Sequence, residues 1–168
     1  MHRLDLFPMN EINLEINQES VSVSVEPREL LIDVLRDRIG LTGTHAGCEQ
    51  GSCGSCTVLV DGEGVRSCLL FAVQAEGSSI TTIEGIGSTE SPHPMQKAFS
   101  DNYGLQCGFC TPGMVLTAIE LLTVNPSPTR EEVKEWMSGN LCRCTGYTGI
   151  VDSVMSQCEN NSGSGEDN

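Results

Sequence analysis

Eight of the nine cysteines fall into two sets whose spacing constrains the chain more than any other feature. Cys48, Cys53 and Cys56 are spaced C-x4-C-x2-C, and Cys68 follows Cys56 at a distance of twelve residues. This is the plant-type spacing for a 2Fe–2S cluster, in which three ligands share one loop and a fourth arrives from a neighbouring strand. A structural zinc site is the competing reading. Gly43, Gly47, Gly51 and Gly54 alternate with the cysteines of this loop. Glycine admits positive φ and lets backbone N–H groups approach anionic sulfur, so Gly47, Gly51 and Gly54 are candidates for close contacts with a cluster.

The second set is Cys107-x2-Cys110 and Cys142-x-Cys144, with about thirty residues between the pairs. A four-cysteine zinc site and a 2Fe–2S cluster both fit this spacing, and both are anionic. Each pair immediately precedes an expected helix, at Thr111 and near Tyr147, so two helix N-termini would face the site and favour negative charge. Cys158 is the ninth cysteine and reads as a packed thiol at a helix end. His2, His45 and His93 lie in expected loops or at a terminus, and none is assigned a ligand role. Trp136 reads as a core residue of a helical unit.

Composition decides between disulfides and metal ligation. Met1–Asn10 lacks the apolar run of a secretory signal, and the longest wholly apolar run, Leu69–Val73, is far too short for a membrane span. The expectation is a reducing, cytoplasmic compartment, where disulfides are rare, so the cysteines read as metal ligands. With 38% hydrophobic and only 4% aromatic residues in 168, two small cores would be thin, and a metal centre is the usual staple for such domains. The formal charge of −14 argues against nucleic acid or an anionic membrane as the main partner.

Periodicity divides the chain in two. Ile12, Leu14 and Ile16, then Val21, Val23 and Val25, alternate with polar residues and predict a β-hairpin. Pro27 is placed in a first helical turn, Leu30, Leu31, Val34 and Leu35 form one apolar stripe, and Gly40 ends that helix. The cysteine loop spans Thr42–Cys56. Thr57–Val60 predicts a strand, Asp61-Gly62 a turn, Val65 a further extended run and Ile80–Ile83 a last strand. Residues 1–87 thus read as an α+β unit and Ser88–Pro94 as a linker. Residues 95–158 read as helical, with helices at Met95–Asn102 (closed by Gly104), from Thr111, from the Thr129/Glu132 capping box to Gly139, and around Ile150, Val154 and Met155. Residues 159–168 read as a disordered tail.

The segments THAGCEQGSCGSCTVLVDGEGVRSCLLFAVQAEGSSITTIEGI, LQCGFCTPGM and GNLCRCTGY together resemble the iron–sulfur subunit of the xanthine dehydrogenase family, the molybdenum hydroxylases. The resemblance runs from about Ile12 to Met155. It implies a β-grasp ferredoxin-like domain holding one 2Fe–2S cluster through Cys48, Cys53, Cys56 and Cys68. It further implies an all-α four-helix domain holding a second cluster through Cys107, Cys110, Cys142 and Cys144. By the same resemblance, Gln106 hydrogen-bonds a pterin cofactor and Cys144 approaches its amino group. Molybdopterin, in its dinucleotide form, is expected in a large partner subunit and FAD in a medium one. The expected assembly is a dimer of heterotrimers that passes electrons from molybdenum through both clusters to FAD during hydroxylation of a small substrate, with an N-heteroaromatic ring preferred. The subunit alone is expected to be inactive. A free-standing two-cluster carrier and a zinc-stabilised interaction module are the competing readings, and nothing in the cysteines excludes reversed electron flow.

Overall fold

Strict alternation at Ile12, Leu14 and Ile16 buries all three on one face of strand β1 (Asn10–Ile16), because successive side chains of a strand point to opposite faces. The computed structural model describes residues 8–162. His2 and the last six residues of the expected tail lie outside that range. Strand β1 pairs antiparallel with β2 (Glu19–Val25) through a two-residue turn in which Asn17 and Gln18 both take positive φ, the geometry that matches strand twist. Strands β3 (Thr57–Val60) and β4 (Glu63–Arg66) form a second hairpin through Asp61-Gly62, again with both φ positive. Strand β5 (Ser79–Thr81) runs parallel to β1 and antiparallel to β3, giving the sheet order β2-β1-β5-β3-β4.

The helix over this sheet begins later than Pro27. It starts as α1 (Leu31–Asp33) and widens into a π-type turn over Val34–Ile39, ending at Gly40 with φ +88°. Glu26 and Glu29 explain the delay: the Glu29 carboxylate accepts from the Glu26 amide at 3.1 Å, and the Glu29 amide donates to the Glu26 carbonyl at 2.9 Å. These bonds close a separate turn around Pro27. The expected strand Ile80–Ile83 is also shorter. It stops at Thr81, and Ile83–Ile86 form the short helix α2. A 3-10 turn at Ala72–Ala75, absent from the sequence reading, buries Ala72 and Ala75 beneath the sheet.

Helices α3 (Pro94–Asp101), α4 (Thr111–Val124), α5 (Arg130–Met137) and α6 (Thr148–Ser162) follow. A second core forms among them from Met95, Phe99, Met114, Leu121, Val133, Ile150 and Val154, joined by Ile83 and Ile86 of α2. Fully burying one such side chain contributes about 1.5–3 kcal/mol. Gly104 closes helix α3 through its amide, which donates to the Phe99 carbonyl at 2.8 Å, while Tyr103 before it takes the positive φ of 56°. Helix α6 continues four residues past the expected end at Cys158. Trp136 is exposed rather than part of the core, because Val133 and Met137 occupy the buried stripe of α5. Cys158 is buried, its thiol donating to the Val154 carbonyl at 3.4 Å. No helix among the described residues is long and apolar enough to cross a membrane.

Candidate metal centres

The first cysteine loop is pinned before it reaches its first thiol. Arg36 donates to the carbonyls of Thr42 and Thr44, both at 2.7 Å, and the Gly43 amide donates to Glu84 at 2.7 Å. The chain then wraps so that the Gln50 and Cys53 amides both point at Cys48 Sγ, at 3.4 and 3.3 Å. These bonds hold the Cys48 thiol down at about 7, since donors to the charged form favour it. Gly47 keeps this turn close to sulfur: a Cβ there would lie 3.0 Å from Cys53 Sγ and would press on it.

The thiols stand two by two. Cys48 is in hydrogen-bond contact with Cys53, and Cys56 with Cys68. In the second set Cys110 pairs with Cys142, and Cys144 Sγ lies 3.5 Å from Cys107 Sγ. Among the described residues no three His, Cys, Asp or Glu side chains converge on a single-ion position. Paired thiols suit a 2Fe–2S cluster, which takes four thiolates, two on each iron.

Burial opposes ionisation on one side of each set. It pushes Cys68 up to about 11, with Cys56 beside it adding to the effect, and Cys110 up to about 12, with Cys142 adding. Buried thiols of this kind ionise when a cation supplies the missing charge. For Cys142 burial also works against the thiolate, but hydrogen bonds from Thr145 and neighbouring amides outweigh it and the pKa falls. Cys144 is shifted up by its contact with Cys107. Two buried hydroxyls, Thr44 Oγ1 and Thr111 Oγ1, have no hydrogen-bond partner. Thr111 directly follows Cys110 and Thr44 lies in the loop leading to Cys48. Paired thiols, amides directed at sulfur and an orphan hydroxyl at each site, with a close glycine at the first, fit an anionic sulfur-rich group.

The two sets are neighbours. The Leu141 amide, one residue before Cys142, donates to the Cys53 carbonyl at 2.8 Å. A cavity of about 260 Å³ between the loops touches Cys48, Cys53, Cys107, Cys110, Cys142 and Cys144. His45, assigned nothing from the sequence, bridges them: its Nδ1 donates to the Phe109 carbonyl at 2.7 Å and its ring stacks on Phe109 at 4.7 Å. Asn140 was also missed. Its side chain is buried and bonds to Gly54 and Arg66, with a longer contact of 3.4 Å to Thr117. Only the polar residue two before Cys142 hinted at it. Cys107, Cys144 and Gln106 are exposed, whereas Cys56, Cys68 and Cys110 are buried.

Comparison with known proteins agrees with this arrangement. The profile of the "2Fe-2S iron-sulfur cluster binding domain" matches residues 14–79, and that of the "[2Fe-2S] binding domain" matches residues 82–155. The chain is 53% identical to the nicotine 6-hydroxylase small subunit of Paenarthrobacter nicotinovorans, covering 86% of this chain and 87% of that one. The chain belongs to the iron–sulfur small subunits of the molybdenum hydroxylases. The nicotinate dehydrogenase small FeS subunit of Eubacterium barkeri is 47% identical, covering 89% of this chain and 97% of its own length. Among solved structures, quinoline 2-oxidoreductase from Pseudomonas putida 86 superposes with a TM-score of 0.87 at 52% identity, covering 90% of this chain and 94% of that one. The subunit therefore carries two 2Fe–2S-binding domains, the first ferredoxin-like, and works within an oxidoreductase complex.

Proposed function

We propose that this chain is the electron-transfer subunit of a multi-subunit molybdenum hydroxylase, carrying electrons one at a time from a molybdopterin site in a large partner to FAD in a medium partner. In this reading Cys48, Cys53, Cys56 and Cys68 hold one cluster in a β-grasp domain ending near Gly87. Cys107, Cys110, Cys142 and Cys144 hold the other among helices α3 to α6. Each 2Fe–2S cluster, when bound, takes up and gives up a single electron.

The observation that carries this reading is the meeting of two paired thiol sets across one backbone hydrogen bond, from Leu141 to Cys53. The chain's own residues do the rest. The amides of Gln50 and Cys53 place positive dipoles against sulfur, and burial of Cys56, Cys68 and Cys110 excludes water from one side of each site. Exposure of Gln106, Cys107 and Cys144 leaves the second site open to a partner, which supports the assignment of Gln106 and Cys144 to the pterin. The names of relatives acting on nicotine, nicotinate and caffeine support an N-heteroaromatic substrate bound in the large partner. A dimer of heterotrimers in the cytoplasm completes the proposal.

Low-temperature EPR of the dithionite-reduced protein, with iron and zinc quantified on the same sample, tests it. Two distinct spin-half signals and about four irons per chain are expected. One signal with one zinc would reduce the helical half to a docking module, and zinc alone would remove the electron-transfer reading.

A further inference from the structure

Thr145 lies between Cys144 and the start of α6, and its hydroxyl is in contact with a cysteine of the second set. Thr145 Oγ1 is 3.2 Å from Cys142 Sγ, and the Tyr147 amide donates to the same oxygen at 3.2 Å. A ligating cysteine is a thiolate and carries no proton, so the proton of the Thr145–Sγ contact belongs to threonine. The Tyr147 amide occupies an acceptor position of the oxygen and leaves its single O–H directed at sulfur. The amide of Cys142 is committed elsewhere, to the Tyr147 hydroxyl at 2.9 Å. This sulfur therefore takes a side-chain donor beside the backbone amides of Cys144 and Thr145, whereas Cys48 Sγ in the first set receives the amides of Gln50 and Cys53.

We propose that Thr145 is a positioning residue that sets the reduction potential of the second cluster through its hydrogen bond to Cys142. The inference rests on the assignment of Cys142 as a ligand. Reduction adds one electron to the cluster and converts one ferric iron to ferrous; no bond breaks and Thr145 keeps its proton. The reduced cluster carries one more negative charge than the oxidised one, so a donor to its thiolate stabilises the reduced form more. Thr145 thus holds the potential up.

The test is a redox titration of the two EPR signals in the whole chain, for wild type, Thr145→Ser, Thr145→Val and Thr145→Ala. Serine retains the hydroxyl and is expected to match wild type. Valine, of similar shape to threonine, and alanine, which avoids crowding, are each expected to lower the second potential. The expected change is about tenfold in the oxidised-to-reduced ratio at fixed potential, equal to about 59 mV for a one-electron couple. The first cluster is expected to stay unchanged. Equal potentials in all four proteins would overturn the inference, as would an equal shift in Thr145→Ser and Thr145→Val. Loss of the second signal in both Val and Ala variants would overturn it too, by making Thr145 a structural support of the loop. Absence of two signals from the wild type would instead defeat the cluster assignment, which separates that failure from this one.

Discussion

Gly54 and Gly62 take nearly the same backbone conformation, with φ of 72° and 89°, yet their surroundings differ. A Cβ at Gly62 would meet nothing within 4 Å, whereas at Gly54 it would lie 2.7 Å from the Asn140 side chain and 2.8 Å from the Gly139 carbonyl. Left-handed backbone costs an ordinary residue about 1–2 kcal/mol, and that is the whole expected effect of Gly62→Ala. Gly54→Ala adds a collision with rigid backbone between Cys53 and Cys56, so a larger loss is expected. Denaturant unfolding with iron analysis checks this: Gly62→Ala should retain wild-type iron, and Gly54→Ala should be the less stable protein and lose iron from the first site. Equal stability of the two variants would show that the close approach carries no energetic weight. That glycines alternate with the cysteines of the first loop was plain from the sequence. Which glycine faces open solvent and which faces another domain was not, because only tertiary packing distinguishes Gly54 from Gly62.

At the scale of elements, the best-specified feature is the start of α5. The Glu132 amide donates to Thr129 Oγ1 at 3.3 Å, and the Thr129 amide donates to the Glu132 carboxylate at 2.7 Å. The capping box was legible because it is local, written in residues three apart. The hairpin turns were legible for the same reason. The start of α1 was not: Pro27 suits a first helical turn, but Glu26 and Glu29 closed their own turn first. Trp136 was misplaced because an eight-residue helix shows too little periodicity to fix which side is buried. Thr129→Ala is expected to destabilise the protein by about 1 kcal/mol. The carboxyl of Glu132 is held below its ordinary value of 4.5 by the Thr129 amide and hydroxyl. A depressed carboxyl contributes stability above its unfolded pKa, and that contribution is lost as pH falls through the lower folded value. The stability difference between wild type and Thr129→Ala, measured by thermal unfolding, should therefore be constant above about pH 6 and shrink below 4.5. Alanine keeps the amide and loses the hydroxyl, so a difference that stays flat through acid would assign the effect to the bond the hydroxyl accepts from the Glu132 amide and not to the one it donates to the carboxylate.

At the scale of the whole molecule, Arg66 of β4 joins the two halves. Its guanidinium donates to Thr57 Oγ1 at 2.5 Å within the sheet domain, and to the Gly139 carbonyl at 2.6 Å and Asn140 Oδ1 at 3.0 Å ahead of the second cysteine pair. A second tie runs from the Gly64 amide to Glu120 of α4 at 2.8 Å. The two cysteine sets were readable one at a time, but their juxtaposition was not, since contacts between residues more than seventy apart leave no local pattern. Arg66→Leu keeps most of the aliphatic bulk and removes all three donors. Thr57 and Asn140 are buried; Thr57 Oγ1 would lose its donor and Asn140 Oδ1 would keep only the longer Thr117 contact, and a buried acceptor left unpaired costs about 1–3 kcal/mol, so the domain contact should loosen while each core remains intact. Both clusters are then expected to load fully and to keep their individual EPR g-values. The magnetic splitting between the two reduced clusters reports their separation and relative orientation, and in Arg66→Leu it should weaken or broaden. An unchanged splitting at full iron content would mean that the Leu141–Cys53 bond, the His45–Phe109 stack and Glu120 hold the clusters in place without Arg66.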